Sequence, residues 1–129
     1  MTNRAGAADV LVIDDSDIAR AAMARALSAA GLKVVELPSP IGATSAILRS
    51  QARVVVVDVN MPSMRGDKLA ALFRKSDRFQ TLKIVLVSGN DTVLLDELAQ
   101  EARADAAVTK AAGNEALVRA VKRLLGETR

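Results

Sequence analysis

With 129 residues, 50% of them apolar and 26% charged, the chain has the size of one small domain with ample material for a core. It contains no Cys and no His, which excludes disulfides, iron–sulfur clusters, thiol chemistry, the usual zinc sites and any phosphohistidine step within the chain. The net charge of +3 and pI near 9.7 do not add up to a nucleic-acid footprint. Arg20, Arg25, Arg49, Arg74, Lys75, Arg119 and Lys122 are scattered over expected helix exteriors, and with no Trp or Tyr there is no platform on which bases would stack.

Residues 1–8 have nothing to bury and read as a flexible lead-in. Val10-Leu11-Val12-Ile13 is the first of four apolar runs; such continuous runs fit strands covered on both faces, because they cannot alternate between core and water. A helix follows from near Asp17, with Ile18, Ala22, Met23, Ala26, Leu27 and Ala30 at steps of three and four and Gly31 as its stop. Lys33 to Leu37 reads as a second strand. Ser39-Pro40 offers an N-cap and a first-turn proline for a helix carrying Ala43, Ile47 and Leu48 on one face.

Val54-Val55-Val56-Val57 is the third strand, and Leu69, Leu72 and Phe73 mark a helix after Gly66. Ile84-Val85-Leu86-Val87 is the fourth, followed by a helix with Val93 or Leu94, Leu98 and Ala102 inward. Ala106-Ala107-Val108-Thr109 is the fifth. The last helix is the cleanest, with Leu117, Val118, Val121, Leu124 and Leu125 inward and Arg119, Lys122 and Arg123 outward. Strict βα alternation demands a doubly wound parallel sheet of α/β class, since parallel strands need right-handed crossovers. The alternation spans 9–126 as one domain, leaving no length for an appended output domain. No run of about 18 apolar residues and no signal segment are visible, so a cytoplasmic location with no membrane contact is expected.

The strand ends carry the chemistry. Ligands of open parallel sheets bind outside the carboxyl ends of the strands, and here those ends read Asp14-Asp15, Asp58, Ser88 and Lys110. A carboxylate such as Asp58 can attack phosphorus to form an acyl phosphate, but only if the charge of an anionic donor is neutralised. Asp14, Asp15 and Asp58 form the hard oxygen set that Mg²⁺ prefers. Lys110 adds a second positive charge for the phosphoryl oxygens and Ser88 a hydroxyl donor. Taken singly, each has an ordinary structural role: Asp14, Asp15 or Ser16 as a helix cap, Asp58 as a turn former before Met61-Pro62, Ser88 in the turn Ser88-Gly89-Asn90-Asp91, and Lys110 as a solvated strand end. Their convergence in complementary types favours a site. Neither GxGxxG nor GxxxxGK[ST] occurs, which removes dinucleotide and P-loop readings.

These residues stand in Val12-Ile13-Asp14-Asp15-Ser16, Val57-Asp58-Val59-Asn60-Met61-Pro62 with Gly66, Val87-Ser88-Gly89 and Val108-Thr109-Lys110. Together the segments resemble a response-regulator receiver domain, over roughly Asp9 to Leu125. The resemblance implies a (βα)5 flavodoxin-like fold with strand order 2-1-3-4-5, the order that puts Asp14-Asp15 beside Asp58. It implies a stand-alone, chemotaxis-regulator-like acceptor, not a turnover enzyme. Asp58 would take phosphate from a histidine kinase or phosphotransfer protein. Asp15, Asp58 and the backbone carbonyl of Asn60 would bind Mg²⁺ with Asp14 nearby, and Ser88 and Lys110 would bind the phosphoryl oxygens. Output would go to a protein effector through the face formed by the helix after Ser88, the last strand and the last helix, from a monomer or weak dimer. Two positions depart from the family pattern: Ala107 replaces an aromatic residue three before the lysine, and Ala111 replaces the proline after it. Two other readings stay open, a pseudo-receiver that binds partners without phosphorylation and a small aspartyl-nucleophile phosphatase of the haloacid-dehalogenase type. The latter would lack its second acid, replaced by Asn60, and its cap domain.

Overall fold

In the computed structural model, which describes residues 6–89 and 92–126 (without the side chains of Thr92 and Val93), five parallel strands form one sheet in the order β2-β1-β3-β4-β5. The strands are β1 (Val10–Ile13), β2 (Val34–Leu37), β3 (Val54–Asp58), β4 (Lys83–Ser88) and β5 (Ala106–Thr109). Between and after them run α1 (Asp17–Ala29), α2 (Ala43–Ser50), α3 (Gly66–Lys75), α4 (Thr92–Ala102) and α5 (Asn114–Gly126). Two short 3-10 turns, Asp77–Phe79 and Lys110–Ala112, were not expected from the sequence.

The central strands explain why four valines can follow one another. Leu11, Ile13, Val55, Val57, Ile84 and Leu86 point into a cluster with α2, α3 and α4. Val10, Val12, Val54, Val56, Val85 and Val87 point to the other face, against α1 and α5. Neighbouring positions alternate between two dry layers, so every position is apolar. Each such side chain contributes roughly 1.5–3 kcal/mol when fully buried. The edge strand β2 has one neighbour, and Val35 and Glu36 are exposed there.

The helix signals hold with local shifts. Ser16 caps α1 by accepting from the Ala19 amide at 3.2 Å. At its other end Gly31, at φ +93°, allows the Gly31 amide to reach the Ser28 carbonyl and the Leu32 amide the Leu27 carbonyl, a Schellman closure. Ile18, expected inward, is 85% exposed, and the buried face is Met23, Ala24 and Leu27. Ser39 does not cap α2. It accepts from the Ile41 amide in a turn, and the helix starts three residues beyond Pro40 behind Gly42 in the left-handed region. In α4 the inward residues are Leu95, Ala99 and Ala102, so Leu94 is exposed and Leu98 only half-buried. Val93 lies outside the described side chains. Leu48 and Leu72 are likewise on the surface.

Two further expectations are corrected. Ala7 and Ala8, assigned to a loose lead-in, are buried, and the Ala8 amide donates to the Ser50 carbonyl at 2.8 Å. Residues 1–5 lie outside the described residues. Arg74, counted among exterior cations, is buried at the C-terminal end of α3. Its guanidinium donates to the carbonyls of Arg103, Phe79 and Leu82 at 2.9, 3.1 and 2.7 Å, and to the Asp105 carboxylate at 2.6 Å. The same Asp105 oxygen accepts from the Ile84 amide. One side chain thereby ties α3, the loop before β4 and the loop before β5 at the amino edge of the sheet.

Candidate functional site

At the carboxyl edge, strand register does the positioning. Ile13 pairs with Val57, so the next residues, Asp14 and Asp58, lie side by side. Asp58 in turn is level with Val87, and Ser88 with Thr109, which brings Lys110 to the same rim. Oxygens of Asp14, Asp15 and Asp58 all come within 4.8 Å of one another. Asp14 and Asp58 are buried while Asp15 is exposed.

Asp14 is the anchored member. One oxygen accepts from the Ser16 amide at 2.9 Å and the other from Lys110 Nζ at 3.2 Å. Lys110 reaches Asp58 as well, at 3.6 Å, which is beyond hydrogen-bond length. Asp58 Oδ1 is buried and accepts no hydrogen bond from the described residues. Burial and the neighbouring Asp14 charge push the Asp58 carboxyl up to about 6, while Lys110 and the Asn60 backbone amide pull it down and Asp15 adds to the rise. The Asn60 side chain turns to Ser88, its Nδ2 donating to Ser88 Oγ at 3.2 Å. Asn90 and Asp91 lie outside the described residues.

Two supporting residues were not identified from the sequence. Arg20 donates to the Asp14 carbonyl at 2.8 Å and pairs with Asp17 and Glu36, bracing the loop that carries the acidic pair. Its spacing of three from Asp17 was the available signal. Gly66 was seen only as part of a motif. A Cβ there would lie 2.2 Å from the Asp58 carbonyl oxygen and 2.8 Å from Val57, because the Gly66 amide closes the loop onto the Val59 carbonyl. Gly66→Ala should destabilise the fold by about 3 kcal/mol, since backbone must move to admit the methyl group. Chemical denaturation followed by circular dichroism measures this, and a variant as stable as wild type would show that α3 can start further from β3.

The five side chains Asp14, Asp15, Asp58, Ser88 and Lys110 and the loop residue Asn60 are thus gathered on one rim. Among the described residues no helix is long and apolar enough to cross a membrane. Protein PilG of Pseudomonas aeruginosa is 26% identical over 113 residues, covering 88% of this chain and 84% of that protein. The C4-dicarboxylate transport transcriptional regulatory protein DctD of the same organism is 32% identical over 116 residues, 90% of this chain but only 25% of that one. Among solved structures, the chemotaxis protein CheY4 of Vibrio cholerae superposes with a TM-score of 0.82 at 23% identity, covering 92% of this chain and 98% of that one, and so shares the fold. Residues 10–122 match the family described as response regulator receiver domain, and the chain belongs to that family.

Proposed function

We propose that this receiver accepts a phosphoryl group on Asp58 and passes the information on by changing its affinity for a protein partner. The observation that carries the reading is Asp58 Oδ1, a buried carboxylate oxygen with no hydrogen bond among the described residues, 3.6 Å from the Lys110 ammonium. That oxygen attacks the phosphorus of a phosphohistidine on a kinase or phosphotransfer protein. The P–N bond breaks, the imidazole leaves, and an acyl phosphate remains on Asp58. With its pKa near 6, Asp58 is ionised at neutral pH and more basic than an ordinary aspartate. The chain is modified once per event, so it acts as an acceptor with self-catalysed transfer and hydrolysis. A cytoplasmic setting follows from that donor.

The carboxylates fit a hard divalent cation, because the cluster offers only oxygen donors and leaves one buried oxygen unsatisfied. Asp14, Asp15 and Asp58, with the Asn60 backbone carbonyl, would hold Mg²⁺, which when bound supplies positive charge for the carboxylates and phosphoryl oxygens. Lys110 already spans Asp14 and Asp58 and needs little movement to meet a phosphoryl oxygen. Ser88 supplies a hydroxyl donor. Ala107, half-buried, packs against the cluster that holds Leu95, Ala99 and Ala102 of α4. It has no rotamer to flip, so readout runs through the position of α4 itself.

Incubation with Mg²⁺ and acetyl phosphate, followed by intact mass and borohydride trapping, tests the acceptor role. One added phosphate mapped to Asp58 is the expected result, and unmodified protein or label elsewhere overturns it. Mg²⁺ alone should raise the melting temperature of the wild type. A ligand at ten times its Kd adds about 1.4 kcal/mol when only the native state binds it. Circular dichroism reads the shift, as the chain lacks Trp and Tyr. A wild type indifferent to Mg²⁺ at millimolar concentration removes the metal assignment.

A further inference from the structure

We infer that the open groove between α2 and α3 is the docking site for α4 of a second copy of this chain. The groove is a cavity of about 580 Å³ lined by Ile41, Ala43, Leu48, Met64, Leu69 and Leu72, among others. Four of these are large apolar side chains facing solvent: Ile41 is 77% exposed, Leu72 48%, Leu48 44% and Met64 36%. Scattered exposed apolar residues need no explanation, but four lining one concavity do. Lys68 and Lys75 flank Leu72 on the same exposed stripe of α3, at spacings of four and three, and neither has an ion-pair partner among the described residues. Arg49 lies next to Leu48 on α2. Exposed acids are missing from α2 and α3, for Asp67 is buried and paired with Arg65. The occupant this rim selects is an amphipathic helix with an apolar seam and acidic shoulders.

The chain itself presents such a helix. In α4 the residues Leu94, Glu97, Leu98 and Glu101 recur at three and four, which puts them on one face. Leu94, Glu97 and Glu101 are exposed and Leu98 is half-buried. No basic residue lies in α4, and Glu97 and Glu101 have no ion-pair partner among the described residues. Leu94 and Leu98 match the seam, and Glu97 and Glu101 the cations Lys68 and Lys75.

Symmetry permits the contact. The helices α2, α3 and α4 cover the same face of the sheet with α3 in the middle, packing over β1–β2, β3–β4 and β4–β5 in turn. A two-fold axis parallel to α3, on the solvent side of that layer and between α3 and α4, carries each α4 onto the other copy's α2–α3 groove. The contact is then made twice and closes on itself, giving a dimer and not a filament. Groove-to-groove pairing would instead set Lys68 and Lys75 against their own images.

Sedimentation equilibrium of the intact chain over a concentration series, in low and high salt, tests the assignment, with interference optics because there is no Trp or Tyr to absorb at 280 nm. A monomer–dimer equilibrium weakened by salt is expected. Leu72→Asp should abolish it, and Lys68→Glu or Glu97→Lys alone should weaken it at least tenfold. The double variant Lys68→Glu with Glu97→Lys should recover most of the loss, which general surface damage would not do. Each substitution is on the surface, and a circular dichroism melt confirms the fold in every case. A chain that stays monomeric at all concentrations, a dimer untouched by Leu72→Asp, or a double variant no better than the singles overturns the proposal. None of these outcomes depends on phosphorylation of Asp58.

Discussion

Replacing Asp58 by asparagine should abolish acyl-phosphate formation and, in metal-free buffer near pH 8, make the fold more stable than wild type. The first effect removes the nucleophilic oxygen. The second comes from the same burial that raises the Asp58 pKa from 3.8 to about 6. A carboxyl with a raised pKa binds its proton more tightly in the folded state, so its contribution to stability is fully present below about pH 4. It is lost as pH rises through about 6. Over that window metal-free wild type should lose roughly 2–3 kcal/mol relative to Asp58→Asn, which has no proton to shed. Paired denaturation curves from about pH 4 to pH 8 would show the two proteins similar in acid and diverging above pH 6. Saturating Mg²⁺ should narrow or reverse the gap, since the amide is a poorer ligand. A constant difference across pH would mean that Asp58 titrates normally, and phosphorylation of Asp58→Asn would place the nucleophile elsewhere.

Arg74→Met should cost about 3–4 kcal/mol, the largest stability loss expected from a single residue outside the core. The substitution keeps the aliphatic stem in place but leaves the carbonyls of Leu82 and Arg103 without the Arg74 donor, the Phe79 carbonyl with only the Leu82 amide at 3.3 Å, and Asp105 without its counter-charge. Breaking a buried pair from one side costs more than the pair contributes, because the remaining groups stay desolvated. The loss stops short of the upper range because the Asp105 side chain is 25% exposed and keeps its bond from the Ile84 amide. For a domain of this size the melting temperature should fall by roughly 10 °C or more. Hydrogen exchange should rise first around residues 79–84 and 103–105. Labelling of Asp58 should survive, because Arg74 works at the amino edge of the sheet and the acceptor sits at the carboxyl edge. Arg74→Lys should rescue little, as one ammonium cannot span four acceptors in a plane. A lysine variant as stable as wild type would sink the network argument.

Strand identity was legible in the sequence because the signal is a physical necessity: a strand between two dry layers has to be apolar at each position, and Val54 to Val57 can be little else. The rim residues were legible for a related reason. Where a buried run ends, the first polar side chain is at the sheet edge; Asp14, Asp58 and Ser88 occupy that place, and Lys110 follows it directly after Thr109. Helix faces were less secure. Short helices with surplus leucines, such as α4 with Leu94, Leu95 and Leu98, allow more than one stripe, and the packing partner chooses. Leu95 won because it meets Ala99 and Ala102 against β4 and β5, leaving Leu94 outside.

What the sequence determined by itself was therefore the alternation, the strands and the inventory of reactive groups at their ends, all properties of local pattern. Tertiary structure alone decided which groups touch. The register of β1 against β3 set Asp14 beside Asp58, and the approach of Lys110 across 96 positions from Asp14 left one Asp58 oxygen unsatisfied. It also decided that Arg74 is interior and Ile18 exterior. Arginine on a helix reads as solvated until several carbonyls converge on it, and carbonyls belong to every residue, so no residue type announces them in advance.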